Sequence, residues 1–293
     1  MQTYLECIPC FVRQAIDAAQ LAGGSDDVQE QVVRRVLEEV SRFPFDSPPP
    51  LMAERIHAIA RELCGGVDPY REAKRASNEL ALELVDELRP RVAGDRAPFH
   101  AAARLAAAAN VIDLGAMSTR DMSHEAIRRE LLAALEENGG THDLDALSKA
   151  VEGADTVLYF TDNAGEIAFD RLFIEQMPPG VVTAVVRGGA VLNDATYEDA
   201  EAVGLTEVAR VLDTGRAAPG VVLDTCPDAV RRLFAEADVV IAKGQGNYES
   251  LSGKSRPGLF FLLRVKCPVV ARDSGFPVGR LVFHPGRGGA AAP

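Results

Sequence analysis

The stretch Val157-Leu158-Tyr159-Phe160-Thr161-Asp162-Asn163-Ala164-Gly165-Glu166 decides the fold of this 293-residue chain. Its first four residues form an apolar run, which predicts a buried strand. The apolar periodic segment after Glu166 predicts a helix, so a carboxylate and an amide lie where a strand ends and a helix begins. Ligands of open α/β sheets bind at this point, and the amide groups of a helix N-terminus favour an anion such as phosphate.

Beyond Gly153, short apolar runs alternate with helical patterns. Strands are predicted at 156–160, 181–186, 208–212 and 238–242, and helices at 165–177, 196–203 and 226–236. This alternation is typical of βαβ units, so the pattern predicts an α/β fold with a largely parallel sheet. Residues 259–271 contain two more apolar runs, and the first of them fits either a strand or a helix.

The N-terminal half shows helical periodicity almost throughout. Asp68 is expected to cap a long helix with Pro69 at its first position, and that helix should end before Pro90. The alanine-rich segment 97–109 is predicted to be a buried helix, and residues 110–117 form a junction before two more helices near 120–138 and 142–151. The expected organisation is a helical region over 1–152, an α/β domain over 153–284 and a disordered tail over 285–293.

Composition limits the classes of partner. The formal net charge is −12, whereas nucleic-acid and anionic-membrane surfaces more often require a positive balance, so we expect neither partner.

Five cysteines are odd in number and sparse for this length, which argues against a disulfide framework. With no secretion signal or membrane-spanning run, a cytoplasmic location is expected. The sequence leaves the oligomeric state open.

Polar loops follow the predicted strands and begin at Thr161, Arg187, Asp213 and Lys243. In a parallel sheet they meet at one edge. Asp162, Asn163 and Asp199 could supply oxygen ligands to a hard divalent cation, while Lys243 and Arg187 could hold phosphate oxygens. The loops suit metal-assisted phosphoryl transfer to water. The candidate substrate-binding residues in these loops are Glu166, Arg187, Asp194, Thr214, Gly244, Gly246, Asn247 and Glu249.

Simpler roles exist for several of these residues. Asn163 with Glu166, and more loosely Thr196 with Asp199, fit capping boxes at helix N-termini. Lys243 could equally be a solvated loop charge.

Cys7-Ile8-Pro9-Cys10 is a second motif. Two thiolates at this spacing could begin a zinc site, but no second Cys or His pair follows nearby. A redox motif of the thioredoxin kind would follow a strand, whereas this one opens a helical region. Two ordinary thiols on a helix remain the simplest interpretation.

Three blocks of the sequence resemble the signatures of the metal-dependent damage-control phosphatases, formerly domain of unknown function eighty-nine. The blocks are 162–166, 193–199 and 243–249. The opening residues 1–11, with Cys7 and Cys10, resemble the prokaryotic branch that carries an N-terminal Cys-x-x-Cys. The segments 68–78 and 110–113 also fit that branch, so the resemblance covers nearly the whole chain apart from its tail.

The resemblance implies a helical N-terminal region on a Rossmann-like, three-layer α/β/α core. It implies a divalent cation (manganese, nickel, cobalt or magnesium) held by Asp162, Asn163 and Asp199, with Lys243 holding the phosphate of the substrate. The implied reaction is hydrolysis of small phosphorylated metabolites, such as sugar phosphates and damaged or excess phosphorylated intermediates.

Two other functions compete with the phosphatase. An S-adenosylmethionine-dependent carboxyl methyltransferase is compatible with a strand followed by acidic and glycine residues, although no Gly-x-Gly loop follows the first strand. The other alternative is a metal- or redox-sensing protein that uses Cys7 and Cys10.

Overall fold

The computed structural model describes residues 1–66, 68–111, 123–136 and 141–286. The helices in these residues are α1 (Cys7–Leu21), α2 (Asp26–Arg42), α3 (Pro49–Leu63), α4 (Arg71–Ala93), α5 (Pro98–Ala108), α6 (His124–Glu136), α7 (Thr141–Glu152), α8 (Glu166–Ile174), α9 (Tyr197–Ala202), α10 (Asp228–Glu236), α11 (Gly244–Leu251) and α12 (Pro268–Ser274). The strands are β1 (Val157–Phe160), β2 (Val182–Val186), β3 (Arg210–Asp213), β4 (Val239–Lys243), β5 (Leu259–Arg264) and β6 (Leu281–Pro285).

The strands form one sheet in the order β3-β2-β1-β4-β5-β6. Strands β1 to β5 are parallel, and β6 joins β5 in the antiparallel direction. The strand order reverses between β1 and β4, which makes that boundary the switch point where doubly wound folds bind their ligands. The predicted α/β fold with a largely parallel sheet is confirmed.

Helices cover both faces of the sheet because the strand side chains alternate. Tyr159 packs in a core with residues of α4 to α8, whereas its neighbours Leu158 and Phe160 pack in a second core with α10, α11 and α12. This two-sided burial explains why β1 is apolar at all four positions. The result is the expected three-layer α/β/α arrangement.

The helical half of the chain contributes to two different cores. Helices α1, α2 and α3 pack on one another around Phe11, Val36 and Ile56. Helices α4 to α7 instead share the core of the sheet, and the alanines of α5 are buried there as predicted. The boundary at residue 152 between a helical region and an α/β domain stays a prediction.

Helix α4 differs from the expectation at both ends. It begins at Arg71, and Asp68 accepts a hydrogen bond from the Tyr70 N–H at 3.0 Å in the turn that precedes it. It also continues through Pro90 to Ala93. Leu88 and Val92 are buried in the same core, and their packing offsets the hydrogen bond that proline cannot donate.

Three segments near the C-terminus also differ. Residues 244–251, expected as a loop, form α11, and the ambiguous run at 259–264 is strand β5. Pro285 belongs to β6, and the Gly286 N–H donates to the Leu259 carbonyl at 2.7 Å, so these two residues are bound to the sheet, although the expected disordered tail included them. Residues 287–293 and 112–117 of the expected junction lie outside the described residues.

Across the described helices, none is long and apolar enough to cross a bilayer.

Phe173 tests the packing of α8 on the sheet. Its ring is fully buried and lies edge-on to Phe99, with centroids 4.9 Å apart. Phe173→Ala should lower the free energy of unfolding by roughly 3–5 kcal/mol, because a buried ring leaves a cavity. Urea unfolding measures this, with Phe45→Ala as the control because Phe45 is 45% exposed. Equal losses in the two variants would contradict this packing.

Candidate active site

A cavity of about 560 Å³ opens at the C-terminal edge of the sheet, beside the switch point between β1 and β4. Its walls come from α1, α3, α11, the start of α12 and the loops after β1 and β2. Asp162, Asn163 and Asp194 all line it. The cavity therefore lies where the order of the strands predicts a ligand site.

Backbone hydrogen bonds join the loop after β1 to the loop after β2. The Ala195 N–H donates to the Asp162 carbonyl at 2.8 Å, and the Ala164 N–H donates to the Asn193 carbonyl at 2.9 Å. Asn163 and Asp194 form an antiparallel bridge between them. These contacts hold Asp194 beside Asp162 and Asn163, although 32 residues of sequence separate the two aspartates by their numbering.

The turn into α8 requires glycine at position 165. Gly165 has a φ of +77°, and a Cβ there would lie 2.9 Å from the Ser77 carbonyl oxygen of α4. Its N–H donates to Asn78 Oδ1 at 2.6 Å. The described α8 N-terminus has no side-chain cap, so the capping-box interpretation of Asn163 and Glu166 is wrong.

Asp162 is buried among like charges. Burial, and then the charges of Glu166 and Asp194, raise the pKa of the Asp162 carboxyl well above its usual value. Arg187 opposes this shift, with its Nη2 atom 3.6 Å from Asp162 Oδ1. A cation bound at this carboxylate would favour its ionised form.

Asp199 does not share this site, contrary to the expectation. Its Oδ2 atom forms an ion pair with Lys74 Nζ at 2.6 Å and accepts from the Thr196 N–H at 2.8 Å, and its Oδ1 atom accepts from Asn78 at 3.0 Å. The cavity-lining residues of the described chain include Asp194 but not Asp199. The interpretation of Asp199 as a cap paired with Thr196 fits this geometry, and the interpretation as a cation ligand does not.

The donors that do line the cavity suit a hard divalent cation. Asp162 and Asp194 supply carboxylates. The Asn163 amide directs its Nδ2 atom to Asp162 Oδ2 at 2.9 Å and to Glu166 Oε2 at 3.2 Å, which leaves its Oδ1 atom as the acceptor. In the described parts of the chain, no three His, Cys, Asp or Glu side chains form a metal-binding group, so this set depends on the asparagine oxygen.

Lys243 is placed differently from the expectation of a phosphate contact. Its side chain is fully buried, and Nζ donates to Glu166 Oε1 at 2.7 Å, Asp170 Oδ1 at 2.5 Å and the Ala106 carbonyl at 2.9 Å. An ammonium group has three N–H donors, so none remains for a phosphate oxygen. The geometry also excludes a solvated loop charge.

Arg187, Thr214 and Asn247 connect the loops and do not line the cavity. Arg187 donates to Asp194 Oδ2 at 2.6 Å and to Asn247 Oδ1 at 3.1 Å. Thr214 accepts from the Gly188 N–H at 3.1 Å, which ties the loops after β2 and β3 together. Their effect on a substrate would therefore be indirect, through the residues that they hold.

The two glycines of α11 are required by close contacts within the protein. A Cβ at Gly244 would lie 1.9 Å from Asp162 Oδ2, and φ there is +75°. A Cβ at Gly246 would lie 1.9 Å from the Pro219 carbonyl oxygen, although Gly246 also lines the cavity. Gly244 thus lets the N-terminus of α11 approach the Asp162 carboxylate.

Thiols and a carboxyl form another part of the cavity wall. Cys7 and Cys10 of α1 line it, together with Cys267 and Glu249. Gln245 Nε2 donates to Glu249 Oε1 at 2.9 Å and to Cys267 Sγ at 3.7 Å. Burial raises the pKa of Glu249 to about 7 and also raises the pKa values of Cys7 and Cys10, to which the charge of Glu249 contributes.

Sequence reasoning assigned no role to several residues that build this site. Lys74 and Asn78 bind Asp199. They are four residues apart on one helix, and this spacing could have indicated from the sequence that they lie on the same face. Asn110 donates to Asp162 and Glu166. Asp170 is a charged residue inside the apolar helix α8, and such a residue needs a buried partner.

The model of the damage-control phosphatase ARMT1-like domain matches residues 3–282 of the chain. The chain belongs to this family.

Two proteins of known sequence align with this chain over nearly their whole length. The chain is 34% identical to a damage-control phosphatase of Archaeoglobus fulgidus, over 94% of this chain and 96% of that protein. It is 32% identical to damage-control phosphatase PH1575 of Pyrococcus horikoshii, over 96% and 97% of the two chains. The crystal structure of PH1575, described as a DUF89 family protein, matches with a TM-score of 0.88 over 98% of this chain and 100% of that one, at 30% identity.

If Asp162 binds a divalent cation, Gly244→Ala should abolish that binding. The new methyl group would occupy the position of the carboxylate, and alanine is strained at positive φ. Calorimetric titration with Mn²⁺ measures the loss. Gly253→Ala is the matched control because a Cβ there meets no atom within 4 Å. Wild-type affinity in Gly244→Ala would contradict the placement of Asp162.

Alkylation rates test the positions of the thiols. The side chain of Cys10 is exposed to solvent at the cavity wall, so even with its raised pKa it should react with iodoacetamide before Cys226, which is buried. Burial also raises the pKa of Cys226 to about 11, so little thiolate is present at neutral pH. Timed alkylation with peptide mass spectrometry measures both rates. Equal rates for the two thiols would contradict this arrangement.

Proposed function

We propose that this member of the phosphatase family is a metal-dependent phosphomonoester hydrolase that acts on small phosphorylated metabolites. One observation carries the proposal: Asp162, Asn163 and Asp194 line a single cavity at the C-terminal edge of the sheet. The names of the aligned damage-control phosphatases support the reaction class. The proposed cation is Mn²⁺, Ni²⁺, Co²⁺ or Mg²⁺, since all four accept oxygen ligands.

Charge balance supports a divalent cation. Five carboxylates are buried around this edge of the sheet, namely those of Asp162, Glu166, Asp170, Asp194 and Asp199. Three buried cations accompany them: Lys74, Arg187 and Lys243. When all five carboxyls are ionised, two negative charges are uncompensated, and the raised pKa of Asp162 reflects the cost of that excess. One divalent cation would restore neutrality.

The bound cation would polarise a phosphate oxygen and lower the pKa of a water molecule. Asp162, Asn163 and Asp194 would hold it. Arg187 keeps Asp194 in place through its 2.6 Å hydrogen bond, so its contribution is orientation of a ligand. The N-terminal amides of α11 lie next to Asp162 and would stabilise the oxygens of a phosphate group.

The remaining cavity wall suits the body of a small polar metabolite. Gln245 and Glu249 line it, as do the cations Arg13 and Lys266. A cavity of about 560 Å³ is in the usual range for small-molecule sites. Hydroxyl groups of a sugar phosphate could donate to the Glu249 carboxylate, and this supports a contact between Glu249 and the substrate.

The two alternative functions have weaker support. Gly165, the glycine of the loop after β1, packs against Ser77 of α4, so a cofactor cannot approach the protein backbone through this glycine. The thiols of Cys7 and Cys10 line the same cavity as the oxygen donors, so a sensing role would act at the proposed phosphatase site. Calorimetry with S-adenosylmethionine tests the methyltransferase.

Phosphate release from a panel of sugar phosphates, with Mn²⁺ or Ni²⁺, tests the proposal. Asp162→Ala should lower kcat/KM by about 100-fold or more, because a lost ligand removes several kcal/mol of transition-state stabilisation.

Metal analysis separates the two possible ligand sets. Asp194→Asn should lose the cation, whereas Asp199→Asn should keep it and lose roughly 3–5 kcal/mol of stability, since Lys74 loses its partner. Absence of phosphate release from every ester by metal-loaded wild type would refute the proposal.

A further inference from the structure

A buried chain of hydrogen bonds connects the core of the sheet to the Asn163 amide. It begins at Asp170 of α8, whose Oδ1 atom accepts from Tyr159 Oη at 2.7 Å and from Lys243 Nζ at 2.5 Å. Lys243 also donates to Glu166 Oε1 at 2.7 Å. Asp170, Lys243 and Glu166 are each at most 1% exposed. This group of three residues is called the relay below.

Glu166 links these hydrogen bonds to the proposed cation site. Its second oxygen, Oε2, accepts from Asn163 Nδ2 at 3.2 Å and from Asn110 Nδ2 at 2.7 Å. Because Oε1 is occupied by Lys243, Oε2 is held facing the two asparagines. A carboxylate that accepts hydrogen bonds cannot face an amide oxygen, so it selects the NH₂ end of each amide.

The orientation of Asn163 follows from this selection. Its Nδ2 atom is shared between Glu166 Oε2 and Asp162 Oδ2, and the opposite end of the amide is Oδ1. If the amide turned over, Oδ1 would face two carboxylates and the NH₂ group would face the cation. Both exchanges are unfavourable, so the relay, together with Asp162, decides which atom of Asn163 can act as a ligand.

We infer that Asp170, Lys243 and Glu166 are positioning residues that hold the Asn163 amide with its oxygen presented to a divalent cation. The inference rests on the proposed function, because it concerns the same cation site. It assigns Glu166 a role other than helix cap or substrate contact. It assigns Lys243 to the support of a ligand and not to the phosphate.

Calorimetric titration of the full-length protein with Mn²⁺ alone tests the inference through Glu166→Gln. A glutamine at this position can present either its oxygen or its NH₂ group to Asn163, so the selection is weakened and depends on Asp162 alone. Loss of a partner behind a metal ligand usually weakens affinity by about 10- to 100-fold, and we expect a loss in this range. Asp17→Asn is the matched control, because Asp17 also lines the cavity but does not contact Asn163.

A double-mutant cycle separates positioning from a general structural effect. In an Asn163→Asp background both terminal atoms of residue 163 are oxygens, so its orientation no longer matters. Glu166→Gln should then cause no loss of Mn²⁺ affinity, or a small gain because a neighbouring negative charge is removed. Dependence of one change on the other is the signature of a direct coupling.

Each outcome has a defined meaning. An equal loss of affinity from Glu166→Gln in both backgrounds, or no loss in the native background, would overturn the relay while leaving the proposed function intact. If wild type and Asp162→Ala both failed to bind Mn²⁺, the cation site of the proposed function would be refuted instead. Should Glu166→Gln not fold, Asp170→Asn replaces it, since asparagine can still accept from Tyr159 while its interaction with Lys243 is weakened. The same dependence on Asn163→Asp is expected, and its absence overturns the relay.

Discussion

The burial of carboxylates at one edge of a parallel sheet is the constraint on which the rest of this structure depends. Each buried carboxylate must have a partner, because the interior solvates ions poorly. Lys74 serves Asp199, Arg187 serves Asp194 and Lys243 serves Glu166 and Asp170. Asp162 is the least compensated of the set, and burial raises the pKa of its carboxyl accordingly. Asp162 thus shares Arg187 with Asp194, and Arg187 lies closer to Asp194, at 2.6 Å, than to Asp162, at 3.6 Å.

The fold assembles this edge from parts of the chain that are far apart in sequence. Strand alternation places Lys243 on the face of β4 that α5 and α8 cover, so its side chain enters their core. Helix α4 crosses the turn at Gly165 and contributes Ser77, Asn78 and Lys74. The helical half of the chain is therefore part of the site: α4 holds the turn at Gly165, and α1 and α3 line the cavity.

Agreement between sequence and structure is best where a signal is local. The apolar runs and the polar residues after them were sufficient to predict β1, β2, β4 and the placement of Asp162 and Asn163 at a strand end. Asp199 and Lys243 were assigned from their residue types, and the contacts that occupy them come from α4 and α8. Asp194 was included among the substrate-binding candidates, but its position beside Asp162 depends on the pairing of two loops. The spacing of residues within one segment cannot predict that two separate loops pair with each other.

The amino-acid sequence by itself determined the class of fold, the edge of the sheet that carries the site and the family of the protein. Periodicity and loop composition are local properties of the sequence, so they can be recognised without knowing which residues are in contact. The tertiary structure alone decided which carboxylates face the cavity and which are neutralised inside the protein. That decision depends on which lysine or arginine reaches each acid, and the reach of a side chain across a core follows from the packing of helices on the sheet. For the same reason, the structure and not the motif indicates how the amide of Asn163 is turned.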